Sequence, residues 1–257
     1  MTVLSVNVNK IALLRNSRGR DFPSVIDFSK RVIGLGVKGI TVHPRPDERH
    51  VTRRDIRELT SFLADYPGVE FNIEGYPSED FMELVLIAKP DQCTLVPDAP
   101  DQLTSDHGWD ISAHESLLSN VLGRLRDADI RSSIFLDPDA AMVERVPGVG
   151  ADRIELYTES YAQAFGGESQ STVLGNYRAA ALRATELGIG LNAGHDLDLA
   201  NLGAFLTIPA ILEVSIGHAL VVESLHEGVD NVVKRYLALC AAAAYCRSES
   251  RNQYAVR

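Results

Sequence analysis

Short apolar runs recur along the chain, each followed by a longer stretch whose apolar residues lie three and four apart. The runs cover residues 4–8, 39–43, 70–74, 92–96, 132–136, 153–157, 188–192 and 212–216. They read as strands, and the stretches between them as amphipathic helices. Thr52-Arg53-Arg54-Asp55 fits a capping box with Asp in the place of Glu, and Ile56, Leu59, Phe62 and Leu63 then share one helix face. Ser112-Ala113-His114-Glu115 is a second such box, followed by Leu117, Leu118, Val121, Leu122 and Leu125. Gly36 and Gly188 stand where helix C-caps are expected. Residues 231–245 predict a last amphipathic helix, with Val232, Val233, Tyr236, Leu237, Leu239 and Cys240 as its apolar positions.

Eight alternations, each step about 30 residues long, predict an α/β chain folded as a (β/α)8 TIM barrel with one domain over 1–257. No Gly-x-Gly-x-x-Gly follows the first strand and no phosphate-loop motif occurs, so an open nucleotide-binding sheet is disfavoured. In a barrel, ligands bind at the carboxyl ends of the strands. The residues that fall there are Asn7, Asn9 and Lys10; His43 and Arg45; Glu74; Thr94 through Pro97; Asp137; Glu155; His195; and Gly217-His218. Three runs break on a histidine, so distant strands are expected to bring imidazoles to one site.

The net charge of −10 argues against a nucleic-acid partner but leaves room for phosphate held by local arginines. No leader pattern opens the sequence and no apolar run approaches the roughly 20 residues of a bilayer span, so a cytoplasmic location and no membrane contact are expected. Cys93, Cys240 and Cys246 are too scattered for a disulfide framework.

Residues 9–20 read as a basic loop, either a phosphate clamp or a solvated segment. Residues 43–50 present two imidazoles and two guanidinium groups in a loop stiffened by Pro44 and Pro46, which favours a preorganised site over a plain surface turn. Glu74 suits general acid–base work if partly shielded, or a structural salt bridge. Glu155 is expected to point inward, as an ion-pair member or an electrostatic stabiliser. Gly217-His218 follows the eighth strand, where this fold commonly cups phosphate. His107 lies in a long segment that could act as a lid, whereas His114 and His226 read as structural. The histidines with Glu74 could hold a metal, but no His-x-His or His-Glu-x-x-His spacing supports it.

Taken in order, residues 6–19, Gly39-Ile40-Thr41-Val42-His43-Pro44-Arg45 with Arg49-His50, Phe71-Asn72-Ile73-Glu74-Gly75, Leu95-Val96-Pro97, Asn192-Ala193-Gly194-His195 and Ile216-Gly217-His218 resemble the pyridoxine 5′-phosphate synthase family. The resemblance implies a barrel with extra helices, assembled as a homo-octamer. It implies condensation of 3-amino-2-oxopropyl phosphate with 1-deoxy-D-xylulose 5-phosphate to give pyridoxine 5′-phosphate, phosphate and water, without a redox cofactor or metal. By the same resemblance His43 and Glu74 accept protons, His195 donates one, and Glu155 stabilises the transition state. Asn7, Asp196, Gly217 and His218 would hold the aminoketone phosphate. Asn9, Lys10, Arg18, Arg45, His50 and Thr104 would hold the sugar phosphate.

Two positions depart from the common family pattern. Asn9-Lys10 replaces Asp-His, and Asp196 stands where glycine often follows the histidine. A carboxylate beside phosphate is repulsive unless its side chain turns away. Rival readings are another phosphate-binding barrel, such as a sugar-phosphate aldolase or epimerase, and a barrel that only binds or scaffolds. An aldolase would need a Schiff-base lysine, for which Lys10 is the candidate at the mouth.

Overall fold

The computed structural model describes residues 2–98, 102 and 105–254, with side chains through residue 243. Eight parallel strands close into a barrel in chain order: β1 (Val3–Asn7), β2 (Gly39–Val42), β3 (Glu70–Gly75), β4 (Gln92–Leu95), β5 (Arg131–Leu136), β6 (Arg153–Tyr157), β7 (Gly190–Gly194) and β8 (Ile211–Ile216). The ring closes where Leu4 of β1 pairs with Val214 of β8. The helices are α1 (Asn9–Asn16), α2 (Val25–Gly34), α3 (Arg53–Leu63), α4 (Glu79–Ala88), α5 (Ile111–Asp127), α6 (Ala140–Val143), α7 (Val146–Val149), α8 (Glu159–Ala164), α9 (Gln170–Glu186), α10 (Leu202–Phe205), α11 (His218–Glu227) and α12 (Val229–Tyr254). The expected (β/α)8 barrel is therefore present, with additional helices such as α1, α8 and α11.

Local chemistry explains most element ends. Thr52 and Asp55 form the expected capping box: Thr52 Oγ1 accepts from the Asp55 N–H, and the Thr52 N–H donates to Asp55 Oδ2. The second box does not form. Asp110 caps α5 by accepting the Ala113 N–H at 3.2 Å, which places Ser112 inside the first turn. His114 then leaves helical geometry, and its ring packs edge-on against Trp109. Gly188 ends α9 with φ +72°, so β7 begins at Gly190, two residues later than the sequence pattern suggests. Residues 9–16 are helical rather than loop, because burying Ile11 and Ala12 anchors α1 against the barrel.

Strand residues that face the helices are apolar and buried, including Leu4, Val6, Ile40, Val42, Ile73, Leu95, Ile134, Leu156 and Val214. The alternate positions face inward, and most of them are polar. Ser5 and Thr41 hydroxyls pair at 2.7 Å, Asn72 Nδ2 donates to Thr41, and Thr94 donates to Asn72 at 3.1 Å. Deeper in the barrel, Asn192 and Arg131 both donate to Gln92 Oε1, and Arg153 donates to Asn192. Barrels of this kind are ordinarily filled by branched apolar side chains. Here a hydrogen-bonded network fills much of the space, and mutual pairing offsets most of the cost of burying it, with Gln92 Nε2 and Ser133 Oγ left without a hydrogen-bond partner among the described residues. This polar interior carries the charge pattern of the site above it. Among the described residues no helix is long and apolar enough to cross a membrane.

Candidate active site

The carboxyl ends of β2, β3, β6 and β7 bring His43, Glu74, Glu155 and His195 to one mouth. His43 follows β2, and its backbone N–H donates to Asn9 Oδ1 at 3.0 Å. Asn9 is itself oriented, since its N–H donates to Asn7 Oδ1 at 3.0 Å. The first turn of α1 thus ties the end of β1 to the loop after β2. Burial, reinforced by the charge of Arg45 and by His50, pushes His43 well below the usual imidazole range. It is therefore neutral near pH 7 and has a lone pair to accept a proton.

Glu74 is the inward residue near the end of β3. Burial, reinforced by Glu155 and then Glu213, pushes its carboxyl well above the ordinary range. Glu155 is 3% exposed, and burial with the charge of Glu213 raises it to about 8. Its Oε2 has no hydrogen-bond partner among the described residues. Gly194 makes room for it, because a Cβ there would lie 2.3 Å from Glu155 Oε1. Like charges this close cannot all ionise in a dry site, so the carboxyl group cluster holds protons that ordinary glutamates would release.

Cations gather on the β1–β2 side. Lys10 lies in the first turn of α1, and Arg45 is buried and pairs with Asp98 at 2.6 Å. Ser105 also donates to Asp98, at 2.7 Å. His50 accepts the Val51 N–H on Nδ1, which leaves the proton of the neutral ring on Nε2. Burial and the charges of Arg45 and Lys10 lower its pKa to about 4. Arg15, in the same basic segment, is committed elsewhere through a bidentate pair with Asp55. Arg18 lies past the end of α1 and is exposed. Thr104 lies outside the described residues.

On the β7–β8 side, His195 and Asp196 form a pair and His218 opens α11. Gly217 is the N-cap of that helix and makes no side-chain cap, so its first N–H groups face outward unsatisfied by a side chain. A Cβ on Gly217 would meet Asn7 at 3.0 Å, which places β1 and β8 in close contact here. Such helix ends favour anions.

An apolar wall faces these charges. Val96, Phe135 and Tyr157 cluster at the ends of β4, β5 and β6, with the two rings 5.2 Å apart. Tyr157 also lies edge-on to His195 at 5.0 Å. Sequence reasoning singled out Val96 but missed Phe135, Tyr157 and Asp98. The available signal was period-two position: Phe135 and Tyr157 stand two residues beyond Ser133 and Glu155 on the inward face. Of the other histidines, His107 pairs with Asp106 on an exposed segment and His226 sits in the exposed last turn of α11. Lys10 stands on α1, not on an inner strand, which is poor placement for a Schiff base. A rim cavity of about 560 Å³ lies between the starts of α5 and α6. Asp110, Asp139 and Glu144 line it against the cation Arg145, a net negative lining that suits phosphate badly.

Comparison with known proteins places this architecture. The family model described as pyridoxal phosphate biosynthesis protein PdxJ matches residues 4–242. Pyridoxine 5′-phosphate synthase of Bacteroides thetaiotaomicron is 51% identical over 92% of this chain and 98% of its own. That of Christiangramia forsetii is 50% identical over 93% and 99%. Among solved structures, a chain of the Amycolatopsis orientalis BexX/CysO complex superposes with a TM-score of 0.62, at 12% identity over 95% of this chain and 89% of its own. At that identity the likeness concerns the fold alone.

Proposed function

The chain belongs to the family of the pyridoxal phosphate biosynthesis protein PdxJ, and on that premise we propose that it closes the pyridine ring of vitamin B6. It condenses 3-amino-2-oxopropyl phosphate with 1-deoxy-D-xylulose 5-phosphate and releases pyridoxine 5′-phosphate, inorganic phosphate and water. The observation that carries this reading is the meeting of His43, Glu74, Glu155 and His195 at one mouth, between a cationic side and an uncapped helix end.

The chemistry is a series of proton transfers. The aminoketone amine adds to the sugar ketone, a first water leaves, phosphate is eliminated, and an aldol-type closure followed by loss of a second water completes the aromatic ring. His43, neutral and buried, takes protons. Glu74 exchanges them, and its raised pKa makes it a stronger base toward carbon acids than an ordinary carboxylate. His195 returns a proton to the departing oxygen. Glu155, protonated near neutral pH, stabilises the transition state by donating a hydrogen bond to the oxygen on which negative charge develops during addition.

Two anchors supply orientation. Asn7, the Asp196 backbone, Gly217 and His218 hold the aminoketone phosphate at the start of α11. Asn9, Lys10, Arg18, Arg45, His50 and Thr104 hold the sugar phosphate, with Arg45 dividing its donors between Asp98 and the ligand. The wall of Val96, Phe135 and Tyr157 suits the flat ring that forms. No redox cofactor or metal takes part in this scheme. The chain acts as a single barrel domain in the cytoplasm and assembles as a homo-octamer. Exposed Leu13, Leu14 and Phe22 support self-association.

The test is to incubate the purified protein with both substrates and follow the pyridine ring by absorbance and mass. Product is expected only when both are present. Its absence under those conditions would overturn the reading.

A further inference from the structure

His195 and Asp196 share an uncommon backbone geometry, with φ of +90° and +54°. Left-handed conformations are unfavourable for residues with a Cβ, so such a run persists only where its surroundings impose it. The surroundings here are specific. The Thr158 hydroxyl donates to the Gly194 carbonyl at 2.7 Å and also to the His195 carbonyl. The Thr158 N–H donates to the same Gly194 oxygen at 3.1 Å. Asn201 Nδ2 donates to the Asp196 carbonyl at 3.0 Å. In extended backbone, neighbouring side chains point to opposite faces. The tethered turn instead lets two consecutive side chains meet, with His195 Nδ1 3.2 Å from Asp196 Oδ2.

We propose that the Asp196 carboxylate is a positioning group for His195. It accepts the Nδ1–H, fixes that tautomer, and leaves Nε2 as the nitrogen that exchanges a proton with the substrate. The same contact turns the carboxylate aside, so that Asp196 presents its backbone to an anion. The inference rests on the reading of His195 as a proton donor.

Two observations support a role beyond an ordinary surface ion pair. Exposed pairs contribute little because two long side chains must be ordered. Here the backbone has already been fixed, and both side chains are short. Tyr157 further braces the imidazole by its ring edge. Other groups shape the field: Tyr157 and Glu159 from β6 and α8, His218 from α11, and His43 across the mouth. Asp106 acts through Tyr157. The hydrogen bond from His195 holds the Asp196 carboxyl below its ordinary range, against the burial that would raise it.

The test uses the full chain labelled with [15N]histidine, without substrate, and His195 signals assigned by their loss in His195→Gln. Wild type is expected to show the Nδ1–H tautomer. Asp196→Asn keeps an acceptor and a residue that tolerates left-handed backbone, so the tautomer should persist. Asp196→Gly removes the acceptor and should lose the tautomer. In turnover, Asp196→Gly should lower kcat about fivefold to tenfold with KM little changed, the worth of one hydrogen bond, and Asp196→Asn should restore most of it. An Nε2–H tautomer in wild type, an Nδ1–H tautomer that survives in Asp196→Gly, or equal turnover in Asp196→Gly and wild type would overturn the proposal. The histidine spectra need no substrate. Failure of wild type to make product would therefore count against the proposed reaction, and an Nδ1–H tautomer that survives in Asp196→Gly against the pair.

Discussion

Asn9 Oδ1 accepts the backbone N–H of His43 at 3.0 Å. The contact joins the start of α1 to the residue after β2 and fixes the peptide that carries the buried imidazole. Asn9→Ala should lower kcat about fivefold to tenfold, the worth of one buried hydrogen bond. Asn9→Asp should restore most of it, because a carboxylate oxygen accepts the same N–H. Steady-state kinetics on the two variants checks this, and equal loss in both would count against it.

His43→Ala, Glu74→Gln and His195→Ala should each reduce turnover by at least about tenfold, and about a hundredfold if the group transfers a proton in the slow step. Glu74→Gln is the most informative, since it keeps shape and removes titration. Far-ultraviolet circular dichroism should match wild type. Near-normal rates in all three would refute the site.

The carboxyl cluster makes a prediction about stability. Glu155 is raised from 4.5 to about 8. The folded state therefore binds its proton more tightly than the unfolded state. That contribution is fully present below pH 4.5 and is lost as pH rises through about 8. Glu213, raised to about 7, acts with the same sign. His50, lowered from 6.5 to about 4, acts oppositely: its contribution is present above pH 6.5 and lost as pH falls through about 4. Comparing Glu155→Gln with wild type isolates the first effect. The melting temperature of wild type should drop relative to the variant between about pH 5 and about pH 8.5. Parallel melting curves across that range would contradict it.

Arg45 and Asp98 are both buried, with side chains 6% and 1% exposed, and Ser105 adds a hydrogen bond to the same carboxylate. Removing one member leaves an uncompensated charge. Asp98→Ala should destabilise the fold by about 3–5 kcal/mol, measured by denaturant unfolding. Asp98→Asn should cost less, because the amide oxygen still accepts from Arg45.

Much of this molecule is legible in one dimension. Apolar alternation locates the strands, and Gly36 and Gly188 mark two helix ends because only their positive φ suits the turn. The inward set Asn72, Glu74 and Glu155 follows from period two. What the pattern conceals is partnership. Gln92 and Asn192 are bonded across the barrel although they lie 100 residues apart, so the polar interior emerges only when the strands close. α1 was hidden because only Ile11 and Ala12 are buried while Leu13 and Leu14 face outward, which blurs the helical stripe. Ser112 was a plausible cap until Asp110, one residue outside the helix, proved the better placed acceptor. Asp98 and Tyr157 carry no motif, and their roles come from what the barrel sets beside them.

The most direct measurement is a crystal structure of the protein with pyridoxine 5′-phosphate bound. The account places the ring at the barrel mouth, between His43 and Glu74 on one side and Phe135 and Tyr157 on the other, with its phosphate at Gly217 and His218. Product bound away from that mouth, or with its ring remote from both His43 and His195, would contradict it.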